Sequence, residues 1–200
     1  TAAPTSYISG ETIERFRGSS PADMFRGTPG VMSGEARNGA GSIDVNVRGM
    51  QGMGRVNVTV DGAENSLQVY QGYQGISNRS YVDPDLLGGV DITKGSDAAS
   101  YGIAGTVAMR TLNASDIVDE GKRFGLRLKG GFGTNTSSPV AGATSGYTII
   151  NQLGGWPSVT ESATGMDRPS FLTPTSGSGS VVAAMQEEDF DFIAGYAYRK

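Results

Sequence analysis

The sequence of 200 residues contains no cysteine and no histidine. It therefore offers no disulfide, no thiol nucleophile, no histidine-dependent catalytic triad and no His or Cys ligand for zinc or haem iron. No apolar run reaches the ~18 residues of a membrane-spanning helix, so we do not expect a helical membrane protein. Lys and Arg number 16 against 20 Asp and Glu, which gives a net charge of −4. We expect no nucleic-acid partner, because such binding requires a basic face.

Residues 90–110 carry the clearest local pattern in the chain. A strand signal at residues 90–93 precedes a tight turn at Lys94 and Gly95, and residues 106–111 give a second strand signal after a loop of small residues. Upstream, residues 55–60 alternate Val with polar residues and end in a turn at Asp61 and Gly62. The sequence therefore predicts short strands that meet in a small sheet.

Two helix signals lie before these strands. Ser9 and Asp23 are suited to a cap or a first turn for helices over residues 11–16 and 24–26. Strands and helices that alternate in this way are typical of an α+β domain. We expect that domain to cover residues 1–113, since the pattern changes near residues 112–121.

After this change, apolar and polar residues alternate with period two, as in a strand with one lipid face and one wet face. The alternating segments cover residues 124–132 and 190–198, and residues 180–186 are predicted as a returning strand. Residues 134–180 are rich in Gly, Ser, Thr and Pro, and we expect a long loop there. Residues 114–200 thus predict about three strands of a transmembrane β-barrel, fewer than the ~8 that close the smallest barrels. We therefore expect the chain to be the N-terminal part of a longer protein.

Five short motifs follow one another in a recognisable order. They are residues 8–13, residues 21–31 ending in Thr28, Pro29, Gly30 and Val31, the element of Val47, Arg48, Gly49 and Met50, the strand 55–60 with Asp61 and Gly62, and residues 90–110. Each motif is weak alone. Their order over residues 6–113 resembles the plug domain of TonB-dependent outer-membrane receptors.

This resemblance implies a transport receptor and not an enzyme. The plug would lie inside a barrel of about twenty-two strands in the bacterial outer membrane, in contact with outer-membrane lipids. A TonB-type energy-transducing protein would bind on the periplasmic side, by strand addition to a segment upstream of residue 1. A surface-adhesive module is the alternative, supported only by the Gly, Ser and Thr content.

Residues 71–87, 108–112 and 125–130 are more specifically similar to haem and haemophore receptors of the HasR type. The similarity implies haem as a transported ligand, delivered free or by a haem-carrying protein, and no permanently bound cofactor. Such plugs often supply a histidine to the iron, and this chain has none. Either a tyrosinate from Tyr70 or Tyr73 or the barrel alone would then ligate the haem. A ferric siderophore is the alternative ligand.

Two groups of candidate site residues follow. By resemblance, Arg48 and Lys94 would pair with glutamates of the barrel wall and form a plug–barrel lock; the alternative is two solvated side chains beside glycine turns. Tyr70, Tyr73 and Arg79 would contact the ligand at the apex, since tyrosines offer flat stacking surfaces, or would pack against the barrel wall instead. The acidic residues Glu187, Glu188, Asp189 and Asp191 lack the spacing of a Ca²⁺ loop. We predict a solvated turn there and no metal site.

Overall fold

The computed structural model describes residues 3–18, 20–34, 41–52, 54–70, 76–96, 101–134, 147–150, 158–161 and 172–199. The chain divides into two units, one of residues 1–129 and 179–198 and the other of residues 130–178 and 199–200. Helix α1 covers Gly10–Arg15, and short 3-10 helices lie at Pro21–Phe25, Pro84–Leu86 and Ala114–Asp116. Within the described residues, no helix is long and apolar enough to cross a membrane. In chain order the strands are β1 (Thr5–Ser9), β2 (Val31–Ser33), β3 (Val45–Val47), β4 (Val56–Val60), β5 (Ala63–Glu64), β6 (Leu67–Tyr70), β7 (Ile76–Arg79), β8 (Leu87–Lys94), β9 (Gly105–Thr111), β10 (Phe124–Thr134), β11 (Tyr147–Ile150), β12 (Ser158–Glu161), β13 (Pro174–Gln186) and β14 (Asp191–Arg199).

A five-stranded mixed sheet in the order β1-β8-β9-β4-β5 lies in the first unit. Strand β8 runs antiparallel to both β1 and β9, whereas β4 runs parallel to β9. Val56 and Val58 of β4 are buried and Asn57 between them is partly exposed, as a strand with one core-facing side requires. The strands predicted at residues 55–60, 90–93 and 106–111 are thereby confirmed.

The two predicted helices are also present. The Ser9 hydroxyl accepts a hydrogen bond from the Thr12 amide at 3.2 Å and caps α1. The second helix is a 3-10 helix that begins earlier than predicted, because Pro21 fits the first turn of a helix. Ser20 is its cap, and Asp23 bonds back to the Ser20 amide as a first-turn residue.

The core packs the helices onto the mixed sheet and onto the β2–β3 pair. Its members are apolar and almost fully buried, and they include Ile8, Ile13, Met24, Phe25, Ile43, Val45, Val47, Val56, Val58, Val90, Ile92, Val107 and Met109. Small helices on a mixed sheet around one core make this part an α+β domain, as predicted.

Close backbone approach explains the glycines at the end of the small-residue loop. Gly105 has φ +150°, and a side chain there would place its Cβ 2.1 Å from the Thr93 carbonyl oxygen. A Cβ on Gly102 would lie 2.1 Å from the Gly105 carbonyl oxygen. Only glycine fits both positions, because no real Cβ approaches an oxygen so closely.

A three-stranded sheet in the order β10-β13-β14 follows the mixed sheet in the chain. The Gln186 amide donates to the Arg123 carbonyl, and Gly179 lies beside Lys129, so β10 and β13 run antiparallel. Its outward side chains are exposed and apolar, namely Phe124, Leu126, Leu128, Phe132, Phe192, Tyr196 and Tyr198. On the inner side, Ala184 of β13 packs against Ala114 and Val118 of the preceding connection. Predicted strands 124–132, 180–186 and 190–198 are confirmed, and β13 begins six residues before the predicted start.

The expectation of one long loop over residues 134–180 was wrong in part. Strands β11 and β12 pair antiparallel within it, with Tyr147 opposite Glu161. Both contain β-branched residues that favour strands. The surrounding Gly, Ser and Thr residues concealed these four-residue segments.

Candidate functional site

Arg48 lies at the tip of a tight two-residue turn. The backbones of Val47 and Met50 exchange two hydrogen bonds of 2.9 and 3.0 Å. Arg48 and Gly49 both have positive φ, at 52° and 87°, as the type I′ turn requires. The Gly30 carbonyl accepts from the Arg48 amide at 2.8 Å. The fixed turn thus presents the exposed Arg48 side chain at a defined place.

Lys94 lies in a different environment, at the last position of β8. Its amide donates to the Pro4 carbonyl at 2.9 Å, and its Cα lies opposite Gly105. The residue is buried, unlike Arg48. The structure therefore places one predicted lock residue on a surface turn and the other inside the end of the sheet.

The predicted ligand residues lie on and beside the β6–β7 hairpin. Leu67 pairs with Arg79, and Tyr70 pairs with Ile76 at the other end of the hairpin. Because side chains alternate along a strand, Tyr70 and Arg79 point to opposite faces. Tyr70 is 77% exposed, whereas Arg79 is half-buried. Tyr73 lies outside the described residues, so Tyr70 is the one predicted ligand tyrosine whose ring can be described, and that ring is exposed.

An open polar recess borders the Tyr70 face of this hairpin. Asn78, two positions from the partner of Tyr70, lines it together with Asn57, Thr106 and Tyr101. Its lining mixes amide and hydroxyl groups with an exposed aromatic ring. The described residues contain no group of three or more acidic residues that could hold a metal ion.

A cluster of five charged side chains links α1 to β10. Glu14 of α1 accepts from Lys129 Nζ at 2.7 Å and lies 3.8 Å from Arg127. Arg127 also donates to the Asp85 carbonyl at 2.6 Å. The Asp85 carboxylate receives two bonds from Arg17, Nε at 3.0 Å and Nη2 at 2.8 Å. Both basic residues of β10 thus reach across to the α+β domain.

A second polar group fixes the place where the chain leaves the mixed sheet. Asp61, in a tight turn with φ 49°, accepts from the Thr111 amide at 2.9 Å and the Thr111 hydroxyl at 2.7 Å. These hydrogen bonds, that of the hydroxyl first, lower the pKa of Asp61 below its usual value of 3.8. The turn and the end of β9 are therefore joined by a carboxylate that stays ionised.

Arg110 holds the connection that follows. Its guanidinium donates to both Asp116 oxygens, at 2.7 and 3.2 Å. The pKa of Arg110 is raised, mainly by this hydrogen bond to Asp116. Burial raises the pKa of Asp116, but hydrogen bonds from Arg110 and from the Asn113 amide outweigh it and leave that pKa lowered. Residues 110–116 thus form an anchored exit from the sheet.

Sequence reasoning singled out neither the charged cluster nor the anchored exit. One signal was available, because Arg127 and Lys129 are the inward basic residues of an alternating strand. Inward charges need opposite charges nearby, and the acidic residues of α1 were candidates. Asp85 carried no such signal, since nothing local indicates that Arg17 lies beside it.

These features define a class of protein: an α+β domain joined, through an anchored connection and an ionic cluster, to antiparallel strands with outward apolar side chains. Residues 1–108 match the family model described as the TonB-dependent receptor plug domain. The chain belongs to this family, whose members are receptors and not enzymes.

Individual relatives agree with this assignment. The hemophilin receptor of Acinetobacter baumannii is 35% identical over 97% of this chain and 20% of that protein. TonB-dependent heme receptor A of Haemophilus ducreyi is 35% identical over 66% of the chain and 18% of that protein. The chain therefore spans about a fifth of the length of these relatives.

The fold likeness is to a hemophore receptor. A double mutant of Serratia marcescens HasR, solved with its hemophore HasA and heme, aligns with a TM-score of 0.70 and 23% identity. The alignment covers 100% of this chain and 24% of that one. At this identity the likeness concerns the fold, a plug with a small mixed sheet followed by antiparallel strands.

Proposed function

We propose that this chain is the gating plug and the first barrel strands of an outer-membrane receptor that imports haem. The observation that carries the proposal is the sheet β10-β13-β14, with apolar side chains outside and basic ones directed at the plug. An apolar outer face suits lipid, and a polar inner face suits a filled lumen. The plug would comprise residues 1–113, with the barrel from residue 114 onward.

The family and the relatives support the other parts of the proposal. TonB dependence, which names the family, supports a TonB-type protein on the periplasmic side as the energy source. The same assignment supports a location in the bacterial outer membrane. Haem, free or on a carrier protein, is proposed because the named relatives are hemophilin and heme receptors.

Growth on haem as the sole iron source tests this function. Cells that express the full-length receptor, and lack other haem receptors, are expected to grow only when the TonB-type protein is present. Purified receptor titrated with ferric haem is expected to develop a Soret band. No Soret change, together with tight binding of a ferric siderophore, would contradict the haem proposal and favour a siderophore receptor.

Tyr70 is proposed as the plug residue that meets the ligand, with Tyr73 and Arg79 as further contacts. Its ring is open to solvent and lies on the hairpin face that also carries Asn78, a residue that lines the polar recess. An aromatic face stacks on a porphyrin. If a tyrosinate ligates the iron, Tyr70→Phe or Tyr73→Phe should shift the Soret band. Tyr81→Phe is the control on the same segment. An unshifted band in both Tyr70 and Tyr73 variants would leave iron ligation to the barrel.

Arg48 and Lys94 are proposed as the plug side of a lock that pairs with glutamates of the barrel wall. The rigid turn around Arg48 and the burial of Lys94 support positions that are fixed in space. Arg48→Asn retains a residue that tolerates positive φ, and Lys94→Met removes the charge. The double variant is expected to bind ligand normally and to import it abnormally. Unchanged uptake in that variant would contradict the lock.

A further inference from the structure

The two carboxylates of the charged cluster, those of Asp85 and Glu14, differ in how far their side chains are buried. The Asp85 side chain is 3% exposed and receives both bonds of a guanidinium fork from Arg17. The Glu14 side chain is 49% exposed. Removing the partner of a buried carboxylate costs far more than removing the partner of one that water can reach. The Arg17–Asp85 pair is therefore costly to open, whereas the contacts of Glu14 open at a lower cost.

The two basic residues of β10, Arg127 and Lys129, also differ in their contacts. Arg127 has a second acceptor, the Asp85 carbonyl at 2.6 Å, besides its longer contact of 3.8 Å with Glu14. Lys129 is paired with Glu14, and its side chain is only 15% exposed. When Glu14 moves away, Arg127 retains a partner within the cluster. Lys129 loses its carboxylate while it is still largely buried.

The helix that carries Glu14 is short and has its own attachments. Helix α1 is six residues long, is capped by Ser9 and buries Ile13 in the core. A helix of this length has little stability of its own. Its position against β10 therefore depends on the core contact on one side and on Glu14 on the other.

We propose that the Glu14–Lys129 pair is a releasable latch between helix α1 and strand β10, and that Arg17–Asp85 is the fixed support beside it. Opening the latch frees α1 from the first barrel strand while the plug keeps its fold. The latch rests on the proposed function only in taking β10 as a barrel strand. It is independent of the ligand and lies apart from Arg48 and Lys94.

Hydrogen exchange in the full-length receptor without ligand tests the latch. Glu14→Gln and Lys129→Gln should each speed the exchange of the amides that bond to α1, such as that of Phe16 to the Thr12 carbonyl, by roughly three- to tenfold. The double variant should exchange no faster than the faster single variant, because both changes break one interaction. Lys129→Arg should retain slow exchange.

Glu11→Gln is the matched control, since Glu11 lies on the same helix and its ion pair among the described residues is with the exposed Arg15. It should change α1 exchange by no more than about twofold, because an exposed pair within a helix contributes little. Asp85→Asn should instead speed exchange throughout the plug, as expected of a structural support. Unchanged exchange in Glu14→Gln, or additive effects in the double variant, would overturn the proposal.

A cross-link tests whether the latch must open during import. The chain has no cysteine, so Glu14→Cys with Lys129→Cys creates the sole pair within it for a short bifunctional maleimide. The cross-linked receptor should bind ligand and fail to import it, while the same variant without cross-linker imports. Full import after cross-linking would overturn the latch. Failure of the unmutated receptor to import haem would count against the haem function and leave the exchange result to decide the latch.

Discussion

The mixed sheet of the plug and the sheet β10-β13-β14 alternate apolar and polar residues with the same period, yet they turn the apolar side in opposite directions. In the plug, Val56, Val58 and Val107 are buried. In β10, Phe124 is 66% exposed and Leu128 69% exposed, while Arg127 and Lys129 face inward. The alternation shows only that each sheet has two unlike faces. What surrounds the sheet decides which face is the interior.

The inner faces of the two sheets also differ in the kind of interaction they make. The plug interior is a continuous apolar core around Phe25 and Met24. The inner side of β10 instead contacts the plug through ion pairs with Glu14 and a bond to the Asp85 carbonyl. Every cavity that opens in an apolar core destabilises the folded state. An ion pair, in contrast, can break and form again without leaving a cavity. The two inner faces therefore differ in how readily their contacts can open.

The comparison is tested most strongly by truncating one phenylalanine of the plug core and one on the outward face of β10. Phe25→Ala should lower the free energy of plug opening by about 3–5 kcal/mol, because it leaves a cavity in a packed core. Phe124→Ala is the control of the same residue type on an exposed position. Hydrogen exchange of the β8 and β9 amides in the full-length receptor measures both. Equal effects of the two variants would contradict the assignment of inside and outside.

A charge on the outward face should have the next largest effect. Leu128→Arg should destabilise the receptor in lipid by about 2–4 kcal/mol if the position lies near the bilayer midplane, and by less towards an interface. Leu128→Phe, which keeps the site apolar, should be close to neutral. Reversible folding into lipid vesicles gives the difference. Arginine tolerated as well as phenylalanine would show that lipid does not cover this face.

The smallest effect should come from the anchor at Asp61. Its pKa is lower in the folded protein than the usual 3.8, so its contribution is present above that pH and is lost as the pH falls through the folded value. Asp61→Asn should therefore cost less than about 1 kcal/mol, because the carboxylate is exposed. The difference from wild type should be constant at pH values well above 3.8 and should disappear as the pH falls through the lower pKa of the folded protein. Glu64→Gln, also exposed, is the control; a difference that persists in acid would rule out ionisation as its cause.

Local patterns were enough to predict most of the fold. The alternation in residues 55–60 predicted β4, and the pair Asp61 and Gly62 predicted the turn after it. The inward direction of Arg127 and Lys129 followed from the alternation of side chains along β10. Strands β11 and β12 were missed because four-residue strands carry few alternations in a segment rich in turn-forming residues.

The candidate site was less accessible to sequence reasoning. Arg17 and Asp85 are 68 positions apart, and no local pattern indicates that they meet. The opposite directions of Tyr70 and Arg79 depend on the register of the hairpin, in which Leu67 pairs with Arg79. A motif fixes residue types in order, whereas contacts between distant segments depend on the whole fold.

The edge position of β1 determines when the plug can finish folding. Its sheet neighbour is β8, and Ser9 pairs with Gly89. This pairing closes a loop of about 80 residues. The chain loses conformational entropy when the loop closes, before the hydrogen bonds of the pairing stabilise it. Sheets built from such distant partners fold slowly. During synthesis, β1 leaves the ribosome before its partner β8 and therefore waits with open hydrogen-bonding groups until β8 follows. A chaperone that shields this segment during passage to the membrane would prevent aggregation at the most exposed stage.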